Sequence, residues 1–211
     1  MRLIAATRNP AKVQELARLV AGLADVAPLP NAGDGDPEDG DSFATNAGAK
    51  AVFWSRRLDG GEIVVATDGG LLIPALGDRW DPVRTRRFAG EARTDVERAS
   101  ALLALAADLA GDDRRIVWEE ALAVARDGVL LAHWVATSPP GLLAGEVDPG
   151  PVATGNGFWI PAIWICPDAG GRRLAELSAA ERAARPDHWS LLGANLRTFL
   201  LQLSQESPAQ P

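Results

Sequence analysis

The sequence predicts an α/β fold built on a mixed β-sheet. Three observations indicate this fold class: strand-like and helix-like segments alternate early in the chain, two longer strand patterns flank the Asp-Gly step at 127–128, and capping signals precede helical patterns in the second half. Alternating strands and helices favour parallel pairing, whereas an Asp-Gly turn joins antiparallel strands. The sheet should therefore contain both kinds of pairing.

The early part of the chain predicts strands that lead into polar loops. The apolar run 3–6 predicts a first strand, and a helical pattern follows it with Asn9 as the N-cap. A second helix should begin near Ser42. The run 63–66 indicates a buried strand that breaks at the segment Thr67-Asp68-Gly69-Gly70. Asp68 would then lie at the C-terminal end of that strand, the edge where open α/β sheets bind ligands.

The middle of the chain predicts a helix and a hairpin. Thr94 and Glu97 have the spacing of a capping box, which indicates a helix start. The segments 116–125 and 129–135 predict the two antiparallel strands of the hairpin.

The last third contains a long connection and further helices. Residues 138–157 are rich in proline and glycine, and 158–166 predict a strand that Pro161 interrupts, as is typical of an edge or a bend. A second capping box begins at Ser178. A C-terminal helix should follow, with its cap near Asp187.

Length and composition predict one domain, whole or split into two lobes. The 211 residues are 47% apolar, and we expect the domain to span 1–203 with a flexible tail at 204–211. The net charge of −7 excludes a basic surface for a nucleic-acid duplex or an anionic membrane. Cys166 is a single cysteine, and no apolar run reaches the roughly 18 residues of a membrane span. We expect a soluble, cytoplasmic protein.

Several common ligand-binding motifs do not occur in the sequence. The segment 155–160 lacks the third glycine of a dinucleotide loop, and there is no GxxxxGK[ST] or GxSxG motif. The acidic run 34–41 has its glycine in the wrong place for a calcium loop. The two histidines, His133 and His188, and the single cysteine are together too few ligands for a typical zinc cluster. His133 is expected to pack inside a strand.

Three segments instead carry residues suited to a triphosphate and a divalent ion. They contain Thr7, Asn9 and Lys12 at a helix N-terminus, Glu38 with Asn46 and Lys50, and Asp68 beside two glycines. Backbone donors and ammonium groups suit phosphates, and carboxylates suit Mg²⁺. Lys12 and Lys50 are also the only lysines among 21 basic residues. Helix capping by Asn9, a solvated loop at Glu38 and a solvated helix face at Lys50 are the alternatives.

The same segments resemble motifs of the inosine/xanthosine triphosphate pyrophosphatase (ITPase-like) family. Residues 7–12 resemble its T-x-N-x-x-K opening, and 38–51 resemble E-x-G-x-x-F-x-x-N-A-x-x-K-A at every defined position. Residues 66–71 are similar to A-D-D-S-G-L, and 85–90 to S-A-R-F-A-G. The likeness continues to 187–188, so it covers nearly the whole chain.

The resemblance implies an elongated mixed sheet with two lobes, a nucleotide groove between them and a homodimer. The implied reaction is NTP plus water to NMP plus pyrophosphate, with Mg²⁺. The implied catalytic residues are Asp68, which would orient or deprotonate the attacking water, and Lys50. Glu38 and Asp68 would hold the metal. The implied phosphate-binding residues are Thr7, Asn9, Lys12, Asn46, Arg87 and Arg182.

Departures from the family pattern concentrate in the implied base pocket, which comprises Phe158, Trp159, Asp187, His188 and Trp189. Trp189 stands where the family has an arginine that reads a keto oxygen, and the tyrosine and aspartate expected after residue 158 are missing. Thr67 and Gly69 replace an aspartate and a serine beside Asp68. Most of the seven tryptophans are expected to pack in the core, with Trp159 and Trp189 as exceptions.

Two hypotheses follow. The first is a Mg²⁺-dependent nucleoside triphosphate pyrophosphatase with altered base selectivity, suited to an amino-bearing or modified base if Asp187 faces the pocket. Asp187 as a simple helix cap is the alternative for that residue. The second is a non-catalytic nucleotide-binding protein that kept the phosphate loop. Retention of Glu38, Lys50 and Asp68 favours the enzyme.

Overall fold

The computed structural model describes residues 1–30, 37–58, 61–85, 88, 90, 94–148 and 159–206. Within these residues the strands are β1 (Arg2–Ala5), β2 (Asp25–Pro28), β3 (Ile63–Leu72), β4 (Arg115–Arg126), β5 (Val129–Thr137), β6 (Gly141–Leu143), β7 (Trp164–Cys166) and β8 (Arg172–Arg173). The α-helices are α1 (Pro10–Leu19), α2 (Phe43–Ser55), α3 (Asp95–Leu105), α4 (Ala179–Ala183) and α5 (His188–Glu206).

The strands form one mixed sheet, as the sequence predicts. The strand order is β2-β1-β3-β4-β6-β7-β8. The eighth strand, β5, pairs with β4 and stands outside this linear order. β1 runs parallel to both β2 and β3, whereas β4, β6, β7 and β8 pair antiparallel in succession. The β4–β5 turn has Asp127 and Gly128 at positive φ (51° and 77°), the geometry that an Asp-Gly hairpin requires.

The chain divides into two compact units. The first comprises Met1–Gly69, Glu119–Ala136 and Asp187–Pro211, and the second comprises Gly70–Trp118 and Thr137–Pro186. The core of the first unit includes Leu16, Leu122 and Leu196. The core of the second unit includes Leu102 and Ile163. Strands β3 and β4 contribute residues to both units.

The helix starts follow the predicted capping residues. Asn9 Oδ1 accepts a hydrogen bond from the amide of Ala11 at 2.9 Å, and Ser42 caps α2 through the amide of Thr45. Thr94 opens α3 with the complete capping box. Ser178 does the same for α4. These predictions are confirmed.

The predicted end of the third strand is wrong. β3 does not break after residue 66 but continues to Leu72, so Asp68 lies inside the strand and not at its end. The glycines at 69 and 70 remain extended because the neighbouring strand β4 pairs with β3. Leu71, which follows them, is fully buried in the core of the second unit. Tertiary packing thus overrides a local turn signal.

The C-terminal third also differs from the prediction. The connection predicted for 138–157 contains β6, which pairs with β4 and β7. The strand predicted for 158–166 is confined to Trp164–Cys166, and Pro161 lies in a short 3₁₀ helix, Ile160–Ala162, because proline fixes φ and lacks the amide that a strand needs. Helix α5 continues to Glu206, past the predicted boundary at 203. In the described part of the chain, no helix is long and apolar enough to cross a membrane.

Candidate active site

Lys50 joins two carboxylates in the first unit. Its ammonium lies 3.1 Å from Glu38 Oε1 and 3.2 Å from Asp68 Oδ1, and its side chain is 7% exposed. Burial lowers the pKa of Lys50, but the charges of Asp68 and Glu38 and their hydrogen bonds outweigh burial and raise it above its ordinary value. Lys50 is therefore a buried, permanently charged centre between the two acids, and not a solvated helix residue.

Asn46 lies one turn before Lys50 on α2 and on the same face, as their spacing predicts. Its Nδ2 donates to Asp68 Oδ2 at 3.0 Å, and its Oδ1 accepts from the amide of Gly40 at 2.8 Å. A Cβ at Gly40 would lie 2.7 Å from Asn46 Oδ1, so only glycine allows this approach. Asn46 thus fixes both Asp68 and the loop that carries Glu38.

The loop before α1 holds Thr7 and Asn9. Thr7 Oγ1 accepts from the amide of Asn9 at 3.1 Å, and Asn9 caps the helix, which is the alternative that the sequence left open for it. Both side chains lie at a helix N-terminus, where anions are favoured, but the amides of Asn9, Ala11 and Lys12 already donate to Thr7 Oγ1, Asn9 Oδ1 and the Asn9 carbonyl. The positive end of the helix dipole, and not these amides, is what this turn offers to an anion.

Lys12, in the first turn of α1, makes an ion pair that the sequence reading missed. Its Nζ lies 2.8 Å from Oε1 of Glu120 on β4. Glu120 is 1% exposed, whereas the Lys12 side chain is 25% exposed. One signal could have revealed Glu120: it is a charged residue directly before five apolar residues, 121–125, of the same strand, and a charged residue buried there requires a partner.

The donors at Lys50 suit a magnesium ion. Oxygens of Glu38 and Asp68 converge on one ammonium, and carboxylate oxygens are ligands that Mg²⁺ prefers. Among the described residues, no group of three His, Cys, Asp or Glu side chains could hold a metal ion. A magnesium ion bound here would take these two carboxylates from the protein and its other ligands from phosphate and water, which is its usual mode.

The predicted base-pocket residues of the first unit lie at the start of α5. Asp187 Oδ1 accepts from the amide of Ser190 at 2.7 Å and from its hydroxyl, so Asp187 is a helix cap, the alternative named for it. His188 packs near Trp189, with ring centroids 5.4 Å apart. Burial lowers the pKa of His188, although the charges of Glu120 and Asp187 oppose this effect. His188 is thus neutral at physiological pH.

The remaining predicted residues belong to the second unit or lie outside the described residues. Trp159 is 4% exposed within the core of the second unit, which supports the packing interpretation rather than an open stacking face. Arg182 is exposed on α4 and donates from Nη1 to the carbonyl of Leu177 at 2.7 Å. Arg87 and Phe158 lie outside the residues that the structure describes.

Comparisons with known proteins identify the family of this chain. A model of the Ham1 family matches residues 3–189. A protein named dITP/XTP pyrophosphatase from Anaeromyxobacter sp. (strain Fw109-5) is 34% identical over an alignment that covers 98% of this chain and 99% of the relative. A protein of the same name from Acidobacterium capsulatum is also 34% identical, with 96% and 98% covered.

Solved structures show the same fold. A HAM1 protein from Coxiella burnetii matches with a TM-score of 0.76 and 25% identity, covering 96% of this chain and 99% of the other. A protein described as nucleoside-triphosphatase / dITP/XTP pyrophosphatase from Mycobacterium abscessus matches with a TM-score of 0.69 and 29% identity, covering 95% and 99%. The resemblance to ITPase-like proteins is confirmed, and the chain belongs to the Ham1 family.

Proposed function

We propose that this protein is a Mg²⁺-dependent nucleoside triphosphate pyrophosphatase that converts an NTP and water into NMP and pyrophosphate. The observation that carries the proposal is the convergence of Glu38 and Asp68 on the buried ammonium of Lys50. The names of the relatives, dITP/XTP pyrophosphatases, support the same reaction.

Asp68 is the proposed base. Lys50 donates to Oδ1 and Asn46 donates to Oδ2, so the orientation of the carboxylate is fixed. Each carboxylate oxygen offers two lone pairs, which leaves acceptor capacity for a water proton. Asp68 would therefore orient the attacking water and take its proton as the bond from the water oxygen to the α-phosphorus forms, while the bond from the α-phosphorus to the bridging oxygen breaks and pyrophosphate leaves.

The positive groups would hold the triphosphate. Lys12 has three N–H donors, and the ion pair with Glu120 uses one of them. The positive end of the α1 dipole, at the loop of Thr7 and Asn9, adds to the attraction for phosphate oxygens. A bound magnesium ion held by Glu38 and Asp68 would neutralise phosphate charge that develops during the reaction.

We also propose that selectivity for the base differs from that of the named relatives. Trp189, not an arginine, follows His188, and it packs partly against the core of the first unit. A keto oxygen would lose a charged partner, a loss of roughly 1 to 3 kcal/mol or about 5- to 150-fold in kcat/KM. Preference for ITP and XTP over other nucleoside triphosphates should therefore fall.

Pyrophosphate release from a nucleotide panel tests both parts of the proposal. ITP, XTP, GTP, dATP and CTP are assayed singly and in competition, with Mg²⁺ and with chelator, and Asp68→Asn serves as the inactive control. Release that requires Mg²⁺ supports the reaction. Binding without release across the panel would favour the non-catalytic alternative, and an ITP or XTP preference on the order of a hundredfold would refute the altered selectivity.

A further inference from the structure

Glu120 is a buried carboxylate that the proposed reaction does not use directly. It lies on β4, is 1% exposed, and contacts the Nζ of Lys12 at 2.8 Å. A buried ionised carboxylate is costly without partners, and the ammonium of Lys12 is one partner that offsets this cost.

Space for this carboxylate comes from Gly69 on the adjacent strand β3. A Cβ at residue 69 would lie 2.7 Å from the carboxyl carbon of Glu120 and 2.6 Å from the carbonyl oxygen of Glu119. A serine, which the A-D-D-S-G-L motif has at this place, would therefore overlap with Glu120. The absence of a side chain at Gly69 and the position of the Glu120 carboxylate are therefore sterically linked. Gly69 directly follows Asp68 in the chain.

Glu120 is too deeply buried to contact a substrate directly. Lys12 is exposed enough to do so. The Lys12 side chain is 25% exposed, and an ammonium with three donors can hold Glu120 with one N–H and present the others to an anion. A flexible lysine held in this way loses less rotamer freedom when an anion binds.

We propose that Glu120 is a positioning residue that fixes the ammonium of Lys12 at the start of α1 for the triphosphate of the substrate. This inference rests on the proposed function, because it assigns Lys12 to the phosphate chain. The inference adds Glu120 of β4 to the site. The missing side chain at Gly69 leaves the space that the Glu120 carboxylate occupies.

The experiment measures binding of inorganic triphosphate, with Mg²⁺, by calorimetry, and therefore needs neither turnover nor a known base. Glu120→Ala should weaken binding on the order of tenfold. Glu120→Gln should weaken binding less, because the glutamine amide oxygen can still accept a hydrogen bond from Lys12. This variant replaces Glu120→Ala in the experiment if the alanine variant does not fold. Glu15→Ala, which removes an exposed pair with Arg18 on the same helix, is the matched control and should leave binding unchanged.

A double-mutant cycle separates positioning from a general structural role. If Glu120 acts through Lys12, Glu120→Ala should have no further effect on triphosphate binding in a Lys12→Ala background. Additive losses, unchanged binding in both Glu120 variants, or no binding of triphosphate to the wild type would overturn the inference. Coupled binding losses in a protein that releases no pyrophosphate would instead refute the proposed function and leave the inference standing.

Discussion

Replacement of Lys50 by methionine removes the charge that joins Glu38 and Asp68 while keeping most of the side-chain volume. Breaking a buried ion pair costs about 3 to 5 kcal/mol, whereas an exposed pair is worth about 0 to 1 kcal/mol. The Lys50 side chain is 7% exposed, but those of Asp68 and Glu38 are 18% and 33% exposed. We therefore expect the free energy of unfolding to fall by about 3 kcal/mol, the lower end of the buried range.

Urea titration at neutral pH, without added divalent ions, measures this loss. The double variant Lys50→Met, Asp68→Asn is the control, because it also removes one of the two carboxylate charges that lose the Lys50 ammonium. It should recover part of the loss. A decrease below about 1 kcal/mol in the single variant would show that the ammonium behaves like a surface lysine, and would refute the reasoning.

Further variants test three other residues of the first compact unit. Asp68→Asn should reduce pyrophosphate release on the order of 10²-fold or more in a protein that still folds, with a lower melting temperature because Lys50 loses one of its two carboxylate partners; near-normal release would transfer the base role to another group. Gly69→Ala should destabilise the fold by about 1 to 3 kcal/mol in denaturant titrations, because its Cβ would overlap with Glu120, and a neutral effect would show that β3 and β4 separate easily. Burial lowers the pKa of His188, so the unfolded chain takes up a proton at higher pH than the folded chain does. Stability should be full above the ordinary histidine pKa and fall as pH drops below it; His188→Gln should flatten this dependence, and an equal slope in both proteins would contradict it.

Helix starts could be predicted because they depend on local chemistry. Asn9 and Ser42 cap helices through amides two or three residues away, and the capping box at Thr94 closes within four residues. The spacing of Asn46 and Lys50 on one helix face is local in the same sense. Such features need no knowledge of which strands are neighbours in the sheet.

Other features depend on distant residues and could not be predicted in this way. The strand through Asp68 continues because β4 lies beside it, and the partner of Lys12 is 108 residues away in the chain. A sequence pattern indicates that Glu120 needs a positive partner, but only the register of the sheet determines which one. The lowered pKa of His188 is likewise a product of tertiary burial.

The two lysines of this arginine-rich chain share one chemical situation. Each contacts a carboxylate within the first unit: Lys12 contacts Glu120, and Lys50 contacts Glu38 and Asp68. A guanidinium is a planar fork suited to one bidentate partner, whereas an ammonium directs three donors in different directions and can bridge separate anions. A position that must hold an acid of the protein and also face a phosphate therefore favours lysine. Under the proposed function, residues 12 and 50 are both such positions, which accounts for an ammonium rather than a guanidinium at each.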